Sequence, residues 1–176
     1  YVLTQSALHG RKAGIFITLG LCTGLILHTT LVALGVAALI MVSSWAFLIL
    51  KLVGAAYLLY LAVLALRAEG RKMDQNSPAL NPRQLYLRGI LMNISNPKVA
   101  IFFLAFLPQF AQPETGSLTI QLFVLGMLFI ISAFLVFSLI ALLAGHLAGA
   151  FQASVRAQNL LNRLAAGVFT ALALRL

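Results

Sequence analysis

The chain has 176 residues, of which 62% are hydrophobic and only 9% charged, and its mean hydropathy of +1.04 excludes an ordinary soluble domain. Uncharged runs of about 20 residues, the length needed to cross a bilayer, recur along the chain, which excludes a secreted protein with only a signal peptide. Cys22 is the only cysteine, so no disulfide can form within the chain. Composition therefore predicts an all-α membrane protein.

The apolar runs predict six membrane-spanning helices in a single domain, 1–176. Ser43 and Ser44 form a short turn between the second and third spans. The polar connector 67–88 contains Pro78 and Pro82, which mark a loop. Because the chain begins with Tyr1 and ends inside an apolar run, we expect it to be part of a longer protein. The predicted spans are about 1–8 (the tail of a longer helix), 14–42, 45–66, 89–107, 120–151 and 160–176.

The net charge of +9 is explained by basic loops on one side of the membrane. Short loops rich in Lys and Arg stay in the cytoplasm, and every second loop is basic here. The intervening loops, 43–44 and 109–119, contain no Lys or Arg and one acid, Glu114. This alternation predicts a cytoplasmic connector at 67–88 and requires no nucleic acid. The basic positions are Arg11, Lys12, Arg67, Arg71, Lys72, Arg83, Arg88, Arg156 and Arg163.

The stretch NISNPKVAIFFLAFLPQF, which begins at Asn93, places four unusual residues in an apolar span. Pro97 removes a backbone donor and disfavours helix at Asn96. Lys98 would lie roughly 13 Å into the membrane by helical rise, where a charge is expected to face the bundle interior. A half-helix starting at Pro97 would direct its positive end at an anion. The alternative is a kinked structural helix whose lysine reaches the headgroups and whose asparagines bond to neighbouring helices.

The second span has small residues and a histidine on one face. Gly20, Gly24 and His28 are spaced by four, and Gly35 follows near the same face. The glycines indicate close helix packing. His28 lies near mid-span, where an ionisable group is a functional candidate, and imidazole suits proton exchange near neutral pH. A histidine satisfied by an interhelical hydrogen bond is equally consistent with the pattern.

The third span offers further candidates for a pore. Lys51 either lines a cavity or reaches the outer boundary, and Gly54 is a further packing glycine. Tyr57 and Tyr60 form a polar stripe toward a pore, or anchor the span at the interface. No Asp or Glu lies in any span, so neither a carboxylate proton site nor a metal site is predicted. His146, near the inner end of the fifth span, is expected at the interface.

Six segments, in order over essentially the whole chain, carry a family resemblance: GRKAG at 10–14, the GxxxGxxxH of 20–28, Gly35, LKLVGAAYLLYLA at 50–62, RGILMNISNPKVAIFFLAFLPQF at 88–110 and NRLAAGVFTALALRL at 162–176. Together they resemble the LysE/RhtB family of amino-acid exporters. The Asn-Pro-Lys block with FFLAFLPQF is the most specific part. Two departures are evident: the family's Pro-Gly-Pro motif is expected just ahead of Tyr1, and Leu25 stands where many relatives have an acid.

The resemblance implies a six-span carrier of the bacterial inner membrane. It would export amino acids or derivatives such as homoserine, threonine, lysine, leucine or homoserine lactone by exchange with protons. A 3+3 inverted repeat, with broken helices meeting at the midplane, fits both the family and transporters in general. Homodimer formation is compatible with this interpretation, and no enzymatic activity and no cofactor are predicted.

Together these inferences give a candidate site. Lys98 and the half-helix start at Pro97 would bind the substrate carboxylate, and Asn93 and Asn96 would hold its polar groups. The pore-lining or proton-coupling candidates are His28, Lys51 and Tyr57, and the packing glycines are Gly20, Gly24, Gly35 and Gly54. The alternative function is a membrane-embedded haem protein that uses His28 and His146 as axial ligands.

Overall fold

A computed structural model describes residues 1–42, 44–68, 79–144 and 155–175. Every regular element within these ranges is helical, which confirms the all-α fold class. Two short 3-10 turns, Leu107–Phe110 and Pro113–Thr115, follow the fifth α-helix. The helices are α1 (Val2–His9), α2 (Arg11–Val42), α3 (Ser44–Arg67), α4 (Pro82–Ile94), α5 (Pro97–Phe106), α6 (Leu118–Leu142) and α7 (Val155–Arg175).

Three helices of the described chain are long and apolar enough to cross a membrane. They lie at Arg11–Val36, Leu48–Arg67 and Leu118–Leu142, and a fourth crossing results if α4 and α5 count as one bent span. Helix α1 has 8 residues, and the apolar part of α7 is the shorter stretch Asn162–Leu174. The six predicted spans and the 3+3 inverted repeat stay predictions.

A helix begins inside the connector that the sequence analysis predicted. The connector was expected to continue to 88, but α4 already starts at Pro82. The Asn81 side chain accepts from the Gln84 N–H at 2.9 Å, and the Gln84 side chain accepts from the Asn81 N–H at 3.0 Å. This capping box, with proline at the first helical position, starts a helix rather than breaking one.

Helix α2 is the centre of the bundle, and its small residues set its neighbours. It packs parallel to α4, since Gly20 lies against Gly89 and Gly24 against Asn93. It packs antiparallel to α6, since Gly14 meets Ala141 and Thr29 meets Gly126. The side chains buried between α2, α5 and α6 form an apolar core that includes Cys22, Leu25, Val32, Val36, Phe103, Leu107, Leu122 and Ile130.

Helices α3 and α7 form a second packed group. The Asn162 side chain donates to the carbonyl of Ala68 at 2.9 Å, so the start of the apolar part of α7 lies at the end of α3. Helix α5 contacts this group through Ala105, which lies directly against Gly54. The half-helix therefore lies at the junction between the α2, α4 and α6 group and the α3 and α7 group.

Phenylalanine rings hold α5 in that junction. Phe103, which is fully buried, meets Phe129 of α6 edge to face, with ring centroids 5.0 Å apart. Phe102 lies 6.0 Å from Phe129 and also 6.0 Å from Phe169 of α7. Edge-to-face and offset arrangements of this kind are the favourable ones for aromatic pairs. The position of α5 is thus fixed from both sides.

Candidate functional site

The break that the sequence predicts at Asn96 and Pro97 is present. Helix α4 ends at Ile94 and α5 begins at Pro97, and the two helices are bent by 60°. Their 13 and 10 residues correspond to about 20 Å and about 15 Å of helix. The 3-10 turn at Leu107–Phe110 extends the second part by about 8 Å. The break therefore lies near the middle of the pair.

Asn96 caps the new half-helix with its own side chain. Its Oδ1 accepts from the backbone N–H of Lys98 at 3.0 Å. The carbonyl of Asn96 accepts from the N–H groups of Val99 and Ala100 at 3.0 and 3.2 Å, and Pro97 has no N–H to offer. The donors of the first turn are therefore already satisfied. Here Asn96 Oδ1 stands where an oxygen of a bound anion would stand.

Lys98 is exposed, which differs from the predicted position inside the bundle. Its Nζ lies 5.9 Å from the centroid of the Phe169 ring on α7, a distance at which a cation and an aromatic face attract. The only acidic residue among the described ranges is Glu114, in the 3-10 turn Pro113–Thr115. The ammonium group thus borders the junction between α5 and α7.

Asn93 occupies the opposite, buried side of the break. The residue is 6% exposed, and its side chain lies against Gly24 so closely that a Cβ there would come 2.6 Å from Asn93 Cβ. Asn93 Oδ1 has no hydrogen-bond partner within the described chain. A buried, unpaired amide oxygen is costly, and it can accept a hydrogen from a group that enters the site.

His28, on α2, lies next to Asn93 on the buried side of the break. It is 5% exposed, and its Nε2 lies 3.2 Å from the carbonyl oxygen of Asn93. The ring centroid is 6.0 Å from that of Phe103. The structure thus contains the interhelical hydrogen bond that the sequence analysis gave as one of two interpretations, and proton exchange by His28 stays a prediction.

The predicted site residues therefore divide into two sets. The buried side has His28, Gly24 and Asn93, and the exposed side has the residues of the block Asn96–Lys98. Tyr57 is half-buried on α3 with its ring 6.0 Å from that of Tyr60. The Lys51 side chain lies outside the described part of the structure, as does His146, so the proposed haem pair is not described.

The packing glycines also differ from one another. Gly20 is against the carbonyl of Tyr86 and the backbone of Gly89, and Gly54 is against Ala105. An added Cβ at Gly35 would meet nothing within 4 Å in the described structure, so that position shows no packing there. The sequence analysis assigned no role to Gly89 or to Gly126, which meets the Thr29 side chain. Gly89 and Asn93 are four residues apart, as Gly20 and Gly24 are, and this matching spacing is the sequence signal that could have predicted the contact between α2 and α4.

A cleft of about 230 Å³ lies beyond the site, between the end of α5 and α6. Its walls are almost entirely apolar and include Phe106, Phe110, Leu125, Leu128, Phe129 and Ser132. None of the predicted substrate-binding residues lines it. The polar groups at the break and the apolar cleft are therefore separate features of α5.

Comparison with known proteins places the chain among membrane translocators. A family model described as LysE type translocator matches residues 1–176. The chain is 36% identical over 148 residues to a homoserine/homoserine lactone efflux protein of Salmonella typhimurium, covering 83% of this chain and 71% of that one. It is 31% identical over 158 residues to an uncharacterized membrane protein of Vibrio cholerae, covering 89% and 74%. No solved structure matches.

A further relative is an uncharacterized membrane protein of Bacillus subtilis, 34% identical over 146 residues, covering 77% of this chain and 69% of that one. Apolar helices long enough to cross a bilayer, together with these relatives, define a multi-pass membrane transporter. The chain belongs to the LysE type translocator family, as the match over its whole length shows.

Proposed function

We propose that the chain exports amino acids or close derivatives, such as homoserine or homoserine lactone, across the bacterial inner membrane in exchange for protons. The observation that carries the proposal is the 60° break between α4 and α5, with a lysine on one side and an unpaired buried amide on the other. Broken helices at mid-membrane are the typical binding elements of secondary transporters. The efflux function named for the Salmonella relative agrees with it.

The exposed side of the break would bind the carboxylate of an amino acid, or the lactone carbonyl oxygen of homoserine lactone, which has no carboxylate. The cargo's carboxylate oxygen takes the place of Asn96 Oδ1 on the N–H of Lys98, and the Lys98 ammonium supplies the opposite charge. Rotation of the Asn96 side chain is enough to free that N–H, because the cap is a single side-chain hydrogen bond. Exchange of a neutral acceptor for a carboxylate strengthens the hydrogen bond at a helix N-terminus.

The buried side would bind the amino group. An ammonium group has three donors and no acceptor, and Asn93 Oδ1 is an acceptor without a partner in the described structure. The Asn93 carboxamide lies in the space that a side chain at position 24 would fill, so Gly24 is needed for this packing. The cargo would thus span the break, with its amino group toward α2 and its carboxylate toward α7.

The basic ends of the helices would face the cytoplasm. Arg11 and Lys12 begin α2, Arg83 lies in the first turn of α4, and Arg67 ends α3. Because α2 packs parallel to α4, the first residues of both helices lie on the same side of the membrane. Basic loops are retained in the cytoplasm. Homodimer formation stays a prediction.

Transport in vesicles tests the function directly. Inverted membrane vesicles or proteoliposomes that contain the full chain receive an imposed pH gradient and radiolabelled homoserine, threonine, lysine, leucine or homoserine lactone. We expect gradient-driven movement of at least one compound, abolished by a proton ionophore. Absence of movement for all five compounds in either orientation would refute amino-acid efflux.

Substitution of Lys98 tests the site. Lys98→Ala should abolish efflux because it removes the cation that attracts the carboxylate, while the protein still inserts in the membrane. Lys98→Arg keeps the charge and should retain part of the activity. Lys12→Ala, which removes an exposed lysine from the first turn of α2, is the matched control and should export normally. If cells with Lys98→Ala resist toxic amino acids as well as wild type, the carboxylate site lies elsewhere.

A further inference from the structure

Pro97 leaves one carbonyl of α4 without its usual donor. In an α-helix the N–H of each residue bonds to the carbonyl four residues earlier, so residue 97 would donate to Asn93, but proline has no N–H. An unpaired carbonyl at membrane depth is costly, because neither lipid nor water there replaces the lost hydrogen bond. Within the break itself, the Asn93 carbonyl is left with one donor, the N–H of Asn96 three residues later, and a donor from another part of the chain can replace the missing one.

His28 supplies a donor at that carbonyl. Its Nε2 lies 3.2 Å from the Asn93 oxygen, at the long end of the normal range for a hydrogen bond. A carbonyl oxygen only accepts, so Nε2 carries the hydrogen. The N–H of Asn96, 3.1 Å away, is the second donor to the same oxygen. With both donors present, the carbonyl that the proline frees is satisfied.

The neighbours of His28 hold it in this position. One turn earlier on α2, the missing side chain of Gly24 lets α4 come close enough for the imidazole to reach its main chain. On the other side the ring meets Phe103 of α5, which is fully buried. His28 thus contacts both halves of the broken helix, α4 through a hydrogen bond and α5 through a ring contact.

We infer that His28 is a positioning residue, whose Nε2–H replaces the N–H that Pro97 lacks and ties α2 to the break. The effect on export rests on the proposed function, whereas the hydrogen bond itself rests on the geometry alone. Loss of the His28 donor would leave the Asn93 carbonyl with the N–H of Asn96 alone and free the buried carboxamide of Asn93 to move. His28 acts through Asn93 and needs no contact with the cargo.

Three substitutions at position 28 test this role. Glutamine carries an N–H at the same number of bonds from Cα as Nε2 of histidine, whereas asparagine carries it one bond nearer, and alanine has none. We expect His28→Gln to retain most of the wild-type melting temperature and efflux. His28→Asn and His28→Ala should melt about 5 °C lower and export about tenfold more slowly. Melting is measured on the purified full chain in detergent, without substrate.

The glutamine variant separates positioning from proton exchange. Glutamine does not titrate, so a proton carrier at position 28 predicts that His28→Gln is stable but no longer exports under a pH gradient. That result overturns the positioning role. Equal melting temperatures for wild type and His28→Ala also overturn it. If wild type itself exports none of the compounds, the proposed function fails, but the melting comparison still decides the role of the hydrogen bond.

A double-mutant cycle with Pro97→Ala tests which carbonyl is involved, because alanine restores an N–H at position 97. His28→Ala should lower the melting temperature clearly when Pro97 is present and much less when it is combined with Pro97→Ala. An equal loss in both backgrounds contradicts the inference. If Pro97→Ala does not fold, the contrast between His28→Gln and His28→Asn decides the question.

Discussion

Asn96 stabilises the helix start when no cargo is bound and still leaves the Lys98 N–H available to a ligand that displaces its side chain. Its backbone carbonyl closes the first turn of α5, while its side chain occupies only the N–H of Lys98. A side-chain cap contributes about 0.5–2 kcal/mol, and a carboxylate that replaces it gains a charge-assisted hydrogen bond from the Lys98 N–H together with the attraction of the Lys98 ammonium. The cap can therefore be displaced by the proposed cargo without loss of the break.

A change of Asn96 to aspartate tests this displacement. Aspartate caps a helix about as well as asparagine, but its negative charge competes with the cargo carboxylate for Lys98. We expect Asn96→Asp to raise the KM for efflux about tenfold, which corresponds to about 1.4 kcal/mol, with unchanged membrane levels. Asn96→Ser, a neutral cap, is the control. Equal KM values for the two variants would show that the cargo does not bind at this N-terminus.

The sequence predicts the position of the helix break better than it predicts which side of α5 the Lys98 side chain lies on. Proline chemistry is local, so the break at Asn96 and Pro97 follows from two neighbouring residues. The exposure of Lys98 depends on how α5 packs against α3 and meets Phe169 of α7, which is set by contacts far apart in the chain. The cost of a buried charge predicts an interior lysine, but it does not specify which side of the half-helix faces outward.

At the scale of helices, glycine decides how closely α2 and α4 approach. A Cβ on Gly20 would collide with the carbonyl of Tyr86, and one on Gly89 would lie 2.5 Å from the carbonyl of Ile17. These obstacles are backbone atoms of packed helices, so they cannot rotate away as a side chain would. The two glycines therefore fix the height at which α4 crosses α2, and with it the level of Asn93 beside His28.

Alanine substitutions on α2 test this crossing. Gly20→Ala gains up to about 1 kcal/mol of helix propensity, but overpacking against backbone costs about 1–3 kcal/mol or more. We expect a melting temperature several degrees lower and reduced export. Gly35→Ala, on the same helix with nothing within 4 Å, should leave the melting temperature unchanged or slightly higher. If the two variants melt alike, the close approach at Gly20 does not contribute to stability.

Helix pairs are predictable from sequence only in part. The spacing of Gly20, Gly24 and His28 predicts that they share a face of α2, and the structure places all three toward α4. The partner helix was not predicted, because pairing depends on the matching small face of α4 at Gly89. The start of α4 was missed for a different reason: Pro82 was interpreted as a helix breaker, although Asn81 and Gln84 form a capping box around it.

At the scale of the whole molecule, the contacts bring the basic ends of several helices to one end of the bundle. Helices α2 and α4 start together, α6 runs back antiparallel to α2, and the apolar part of α7 starts where α3 ends. The ends that meet there carry Arg11, Arg67 and Arg83, whereas the opposite loop carries Glu114. The charge pattern read from sequence and the helix directions read from contacts are independent, and both place these three basic residues at the same end of the bundle.

Cysteine labelling in intact cells tests that orientation. Cys22 is buried, and its replacement by alanine leaves a background with no reactive thiol. Glu114→Cys and Arg83→Cys then place one thiol in each of two exposed positions. Because basic loops stay in the cytoplasm, a membrane-impermeant maleimide should label position 114 in intact cells, and position 83 only after the inner membrane is permeabilised. The reverse pattern would contradict the cytoplasmic placement of the basic helix ends.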